Sequence, residues 1–179
     1  MSSVVISGDT SGAITLSAPA VAGTNTLTLP ASTGTVMVNG PAFSAYNNAS
    51  QSISSGVFTK IQFQVKDFDT ANCFDNTTNY RFTPTVAGYY QITASVSINS
   101  TAASTFPASI YKNGTEYRRC MDIRGLSTIS TSNPLLSALV YCNGSTDYIE
   151  IYGYNNGTSP TVNYGGIYTW FNGVLVRGA

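Results

Sequence analysis

The sequence predicts an all-β sandwich, and three observations carry that prediction. Apolar and polar residues alternate along several segments, most plainly over 89–98. There Tyr90, Ile92, Ala94, Val96 and Ile98 fall on one side, and Tyr89, Gln91, Thr93, Ser95 and Ser97 on the other, as they do when strand side chains point to the two faces in turn. Gly, Asn and Pro punctuate the chain about every ten residues, the spacing of short strands joined by turns. No stretch long enough for a helix keeps an apolar period of 3.6.

The 179 residues suit one domain with an added arm. Hydrophobic residues make up 42%, enough for a core, but charged residues make up only 9%, against roughly a quarter in an ordinary soluble domain. Eight basic side chains cancel eight acidic ones, which leaves no electrostatic footprint for nucleic acid or an anionic membrane. A surface poor in charge and rich in Ser, Thr and Tyr suits an assembly component better than a cytosolic enzyme. The N-terminus has neither a basic start nor a long apolar run, so the expectation is synthesis in a cytoplasm without a signal peptide and without membrane insertion. There is no His, and hydrolase, metal-ligand and phosphate-loop motifs are absent, so no catalysis and no cofactor are expected.

Residues 1–40 contain no aromatic residue and no Lys or Arg. Four short pieces, 4–6, 13–16, 26–29 and 35–38, read as strands. They carry apolar residues, among them Ile14, Leu16, Leu27, Leu29, Val36 and Val38, that are too few and too small to form a core of their own. The prediction is an arm over 1–40 that pairs with other chains, and a head over 41–179. In the head, 58–65 sets Ile61, Phe63 and Val65 against Lys60, Gln62 and Gln64. Phe68 and Phe74 are expected to plug the core edge from a polar loop over 66–79. The strand of 89–98 follows as one piece. Asn113-Gly114 predicts a two-residue hairpin turn within 108–119, since both residues accept positive φ. Apolar on both faces, 135–142 reads as a central strand. In 147–154, Ile149 and Ile151 face inward and Tyr148, Tyr152 and Tyr154 line the other side. The segment 168–176, with Trp170 and Phe171, closes the chain.

Cys73, Cys120 and Cys142 are odd in number and irregular in spacing, which is no disulfide framework; whether any two of them pair stays open. Asp67, Asp69 and Asp75 share one polar stretch and are the candidate ligands for a hard cation such as Ca²⁺. Their spacing is not that of an EF-hand, and turn capping is the favoured role. Arg118, Arg119 and Arg124 form the one basic cluster, read as a solvated strand edge.

Phe63, Asp69, Phe74, Phe82, Gly88 and Tyr90 stand in the order of the diagnostic run of complement 1q-type heads, the jelly rolls related to tumour necrosis factor. Residues 41–45 and Phe171-x-Gly173-x-Leu175 resemble that family's first and last strands. The spacing from Phe74 to Phe82 is one residue longer than in the family, Ile92 and Ala94 stand where aromatics are usual, and no collagen-like stalk is present. Residues 11–30 and 33–36 are similar to attachment segments of tailed-bacteriophage fibre proteins. Together these resemblances imply a homotrimeric jelly-roll head on a phage virion protein, joined to other virion proteins through residues 1–40. Tyr148, Tyr152 and Tyr154 are the candidates for an intersubunit aromatic face, with cover of the protomer's own second sheet as the equal alternative. The loop of 155–168, with Asn163, Tyr164 and Tyr168, is the candidate contact for a host surface glycan or protein. The implied role is a short fibre or tail-tip knob. The alternatives are a capsid-decorating protein that stabilises the shell and a non-viral trimeric adhesion module.

Overall fold

The computed structural model describes residues 3–7, 10–17, 20–21, 23–24, 40–103, 105–120 and 129–179. Its contacts divide the chain after Gly34 into two units. Strands are numbered below in chain order, and no helix occurs among the described residues.

Among its described residues the first unit contains one hairpin, β1 (Ser3–Ser7) with β2 (Ala13–Ser17). Val4 sits opposite Leu16 and Ile6 opposite Ile14, so one face of the ribbon is a square of four apolar side chains. All four are exposed, as is Val5 on the other face. A lone two-stranded ribbon has no core to bury such residues. The expected strands at 26–29 and 35–38, with Leu27, Leu29, Val36 and Val38, lie outside the described residues.

The second unit is a sandwich. One layer is a five-stranded antiparallel sheet in the order β14 (Leu135–Asn143), β9 (Ala87–Ser95), β17 (Trp170–Gly178), β3 (Ala42–Tyr46) and β6 (Val65–Asp69). Facing it is β12 (Thr115–Arg119), β11 (Ala108–Lys112), β15 (Ile149–Gly153), β8 (Arg81–Phe82) and β7 (Phe74–Asp75), with β5 (Thr59–Lys60) also on β15. A third sheet, β13 (Ile129–Ser132), β10 (Ile98–Ala103), β16 (Thr158–Val162) and β4 (Gln51–Ser52), extends the sandwich. Strands adjacent in sequence often sit in different layers: β9 and β10, like β14 and β15, belong to different sheets.

The alternation read from the sequence supplies the core. Tyr90, Ile92, Ala94, Val96 and Ile98 are all fully buried, as are Ile149 and Ile151 from the facing layer. At the centre Phe43 stacks between Phe74 (ring centroids 4.8 Å) and Phe82 (4.5 Å), with Phe171 edge-on at 4.8 Å. Gly173 pairs with Phe43 in register, and a Cβ there would come within 2.6 Å of the Phe43 ring. Only glycine lets the ring lie across that strand. The Asn113-Gly114 hairpin forms as expected, with φ of 53° and 76° at its two corner residues.

Several expectations are corrected. The strand of 89–98 is divided after Ser95. The Ser97 amide donates to the Thr169 hydroxyl rather than to a ladder partner, and Ile98 starts a strand in another sheet. Burial on the same side continues across this bend, which is why alternation alone does not reveal it. The segment 66–79 is not one loop: Lys66 to Asp69 belongs to β6, and Phe74–Asp75 is β7. Phe74 does plug the core, whereas Phe68 is 51% exposed on the far side of β6. The strand β14 is not central; it ends the five-stranded sheet. It is apolar on both faces because its outer face, Leu135, Leu139 and Tyr141, is apolar and open to solvent.

Candidate functional site

Register across the five-stranded sheet builds its outer face row by row. Tyr141 lies opposite Tyr89, their rings 5.5 Å apart, with Val176 nearby on β17. In the next row Leu139, Gln91, Val174 and Ala42 run in register. Tyr89, Leu139, Tyr141, Val174 and Val176 are all exposed. A monomer that stays soluble seldom leaves this much contiguous apolar surface uncovered. Exposed Arg177, the in-register neighbour of Tyr89 on β17, puts one charge in the first row, and the second row holds none.

A second feature lies at one end of the head. The chain enters β3 beside the last strand, where the Leu175 amide donates to the Pro41 carbonyl and the Ala179 amide to the Ala87 carbonyl. The opposite end of the same sheet is marked by the paired residues Tyr46, Trp170 and Ser95, and there residues 163–169 form a loop. The Asn163 amide donates to Ser97 O, Gly165 to Asn47 O, and Tyr168 and Thr169 to Gly165 O. Ser95 Oγ donates to Tyr168 O, and Thr169 Oγ1 to Asn163 O. The loop is therefore pinned, yet Tyr164 (58%), Ile167 (81%) and Tyr168 (49%) project into solvent. A loop ordered before contact has less conformational entropy to lose on binding.

Tyr164 and Tyr168 are thus exposed together, joined by Ile167, which sequence reasoning passed over. Asn163 has a different role. Its Nδ2 donates to Ser97 Oγ at 2.8 Å and its Oδ1 accepts from Asn99 Nδ2 at 2.6 Å, so it braces the loop from beneath.

Tyr148, Tyr152 and Tyr154 do share the outer side of β15 and its flanks, but each is half-buried against its own protomer. Arg81 stacks on Tyr148 at 4.3 Å. Tyr152 stacks on Tyr111 at 3.9 Å, and Tyr154 packs on Phe58 at 5.1 Å. Burial, reinforced by the Glu150 charge, pushes the Tyr152 hydroxyl up to about 12. Glu150 itself is buried and paired with Lys60 at 3.1 Å. The apolar signal for an open face lay instead in β14, whose two faces are both apolar.

The three candidate metal ligands are spent on local structure. Asp67 accepts from Ser44 Oγ at 2.8 Å. Asp69 accepts from the Cys73 and Phe74 amides and pairs with Lys66 at 3.2 Å. Burial raises its pKa, but those two amides and Lys66 outweigh it and hold the carboxyl below its ordinary value. Asp75 caps the turn that follows, accepting from the amides of Thr77, Thr78 and Asn79 and from Asn79 Nδ2. The Thr78 and Thr77 amides are the main cause of a carboxyl held far below the ordinary range. Among the described residues no group of three His, Cys, Asp or Glu side chains could hold a metal ion. Arg119 is bidentate to Glu116, with both N–O distances 2.6 Å, and Arg118 lies over Tyr117 at 4.3 Å; Arg124 is outside the described residues. No two of the three cysteines are joined in a disulfide. Burial pushes Cys142 up to about 11, which makes it an inert core residue rather than a nucleophile.

Two antiparallel layers with strands that cross between them, closed by a first and a last strand side by side, define a jelly-roll head. No family model matches the sequence, and no curated protein matches it significantly. Solved structures do match. The globular domain of zebrafish complement 1qA has a TM-score of 0.58 at 16% identity, covering 78% of this chain and 99% of that one. Murine APRIL gives 0.60 at 11% identity, covering 77% and 100%. The Eiger tumour necrosis factor of S. frugiperda gives 0.57 at 9% identity, covering 79% and 96%. At such identities the likeness shows the fold: the head is a jelly roll of the complement 1q and tumour necrosis factor type.

Proposed function

We propose that this chain is a structural protein of a tailed-bacteriophage virion. It is the homotrimeric knob of a short fibre or tail tip, anchored by residues 1–40 and meeting the host surface with the loop of 163–169. The observation that carries this reading is the division of labour on the head. The outer face of the five-stranded sheet offers apolar area for self-association, and cyclic packing of three copies leaves no copy of that face free. The braced loop with Tyr164, Ile167 and Tyr168 lies at the end away from where the chain enters, so contact there does not compete with an anchor. Tyr and Ile on a rigid loop suit a glycan or protein partner.

The hairpin of the first unit adds support. Ile14 and Leu16, with Val4 and Ile6, leave an apolar face to be covered by other arms or by neighbouring virion proteins. Virion residence, assembly in the host cytoplasm and the lack of catalysis belong to the same reading. The similarity of residues 11–30 and 33–36 to phage attachment segments favours a virion over an adhesion module.

Gold-labelled antibody against the head, imaged on purified particles, tests the location. Label at the tail tip or on short fibres is the expected result. Label spread over the shell faces would replace the fibre knob with a capsid-decorating protein. The isolated protein should bind host cells, and Tyr164→Ala combined with Ile167→Ser should remove that binding without changing assembly.

A further inference from the structure

In the third sheet Thr131, Asn99, Thr161 and Ser52 stand in register across the four strands. The neighbouring row sends Ile98 and Val162 into the core, so this one faces outward. Just beyond it the pairing of β10 with β13 and with β16 slips. There Ala102 (φ 54°) and Ser159 (φ 49°) take up the left-handed region. Two residues with a Cβ held so on neighbouring strands are uncommon, and strain of this kind gathers at ligand sites. Beside the slip lies a groove of about 380 Å³, lined by Ser100, Thr101, Thr158 and Ser159 together with the outward row. That volume is in the range of small-molecule sites, about 300–1,000 Å³.

Hydroxyls and amides make up its wall. Thr131 Oγ1 donates to Asn99 Oδ1, and Asn99 Nδ2 donates to Asn163 Oδ1 at 2.6 Å. Asn163 leads directly into Tyr164, so the groove adjoins the contact loop. Thr101, Thr158 and Ser159 are exposed, and among the described residues their hydroxyls have no hydrogen-bond partner. Each such hydroxyl both donates and accepts, as the hydroxyls of a sugar do. Neither the four strands nor residues 163–169 contain Asp, Glu, Lys or Arg. An acidic glycan would be held by cations, and the groove has none. A protein partner would be anchored by Trp, Tyr or Arg in pockets, and none of these lines the groove.

We propose that this groove binds an uncharged glycan, whose hydroxyls pair with Thr101, Thr158 and Ser159. The proposal rests on the host-contact reading above and narrows its ligand to a neutral saccharide.

Thr101→Val combined with Thr158→Val removes two unpaired hydroxyls, keeps the side-chain volume and leaves the contact loop and its braces untouched. The 179-residue chain is applied to an immobilised panel of neutral hexose and N-acetylhexosamine oligosaccharides and of uronate-bearing ones. Binding should fall on neutral members and stay constant between about 50 and 500 mM salt, since no charge takes part. The double variant should bind roughly tenfold more weakly, the scale of two ordinary hydrogen bonds. Host-cell binding should weaken in parallel. Binding confined to the uronate members, or cell binding fully retained by the double variant, overturns the groove. The contact-loop reading then still stands if the Tyr164 and Ile167 variant removes cell binding. A chain that binds neither the panel nor host cells overturns both.

Discussion

Gln91 and Ile92 are adjacent on β9 and face opposite ways, so the same substitution at each separates folding from assembly. Ile92 is fully buried beneath Gly173 and the aromatic core. Ile92→Asp removes a buried aliphatic side chain, a loss of about 2–5 kcal/mol, and adds the several kcal/mol of a desolvated carboxylate. Against a total stability of about 5–15 kcal/mol, the domain should not fold. Gln91 is half-buried between Leu139 and Val174, and its amide donates to Ser137 Oγ at 3.0 Å. In an isolated protomer Gln91→Asp loses that bond, about 1 kcal/mol, and its carboxylate stays hydrated. Once the face is covered by another copy, each carboxylate is desolvated at a penalty of several kcal/mol, repeated in every subunit, and the assembly should dissociate to monomers. Light scattering on a size-exclusion column, with circular dichroism melting of the same samples, reads both effects. A Gln91→Asp protein that remains trimeric at micromolar concentration would show that this face is not the subunit interface.

Two further outcomes test the core and the acidic turns. Phe43→Ala should destabilise the head by about 3–5 kcal/mol, because the ring touches Phe74, Phe82 and Phe171. Phe68→Ala, one strand away on the open side, should shift the urea midpoint of the protomer by under about 0.5 kcal/mol equivalent; similar losses for the two would mean the layer facing is wrong. Asp75→Ala should cost about 1–2 kcal/mol, the scale of a lost cap, at neutral pH. The folded-state pKa of Asp75 and those of Asp69 and Asp147 lie below their ordinary 3.8. The stability these groups contribute is therefore fully present above that value and drains away as pH falls through the folded pKa values. Thermal midpoints should hold down to about pH 5 and fall steeply below pH 4, less steeply in Asp75→Ala. Calcium or EDTA should leave the midpoint unchanged; a calcium-dependent rise lost in Asp75→Ala would make Asp75 a metal ligand.

The strand faces were legible because period-two alternation is set by the backbone itself, so Tyr90 to Ile98 and the Ile149–Ile151 pair point where the pattern says. The Asn113-Gly114 hairpin was legible for the same local reason. What the sequence concealed depends on which layer a strand joins. An apolar-on-both-faces strand arises in the middle of a buried sheet and equally at the edge of a sheet whose outer face is apolar and exposed; β14 is the second kind, and Leu139 and Tyr141 give no local sign of it. Phe68 and Phe74 look alike in sequence, yet the strand and turn between them send one outward and one into the Phe43 stack. Asp69 and Asp75 look like paired oxygen ligands until the turn amides that they cap are in view. Of the loop expected over 155–168, Thr158–Val162 is strand β16, and exposed Tyr164 and Tyr168 lie in the shorter loop that follows it. The bracing bonds of Asn163 to Ser97 and Asn99 depend on strands distant in sequence, and Ile167 carries no aromatic or polar mark.

The central claim is that the open face of the five-stranded sheet is covered by further copies of the same chain. The native mass of the purified 179-residue chain tests it most directly. A mass three times the 18.9 kDa of one chain, persisting to nanomolar dilution and reduced to one chain by Gln91→Asp, is the result expected. A mass of one chain at every concentration would contradict it and leave the Tyr89, Leu139, Tyr141 and Val174 face to a different partner.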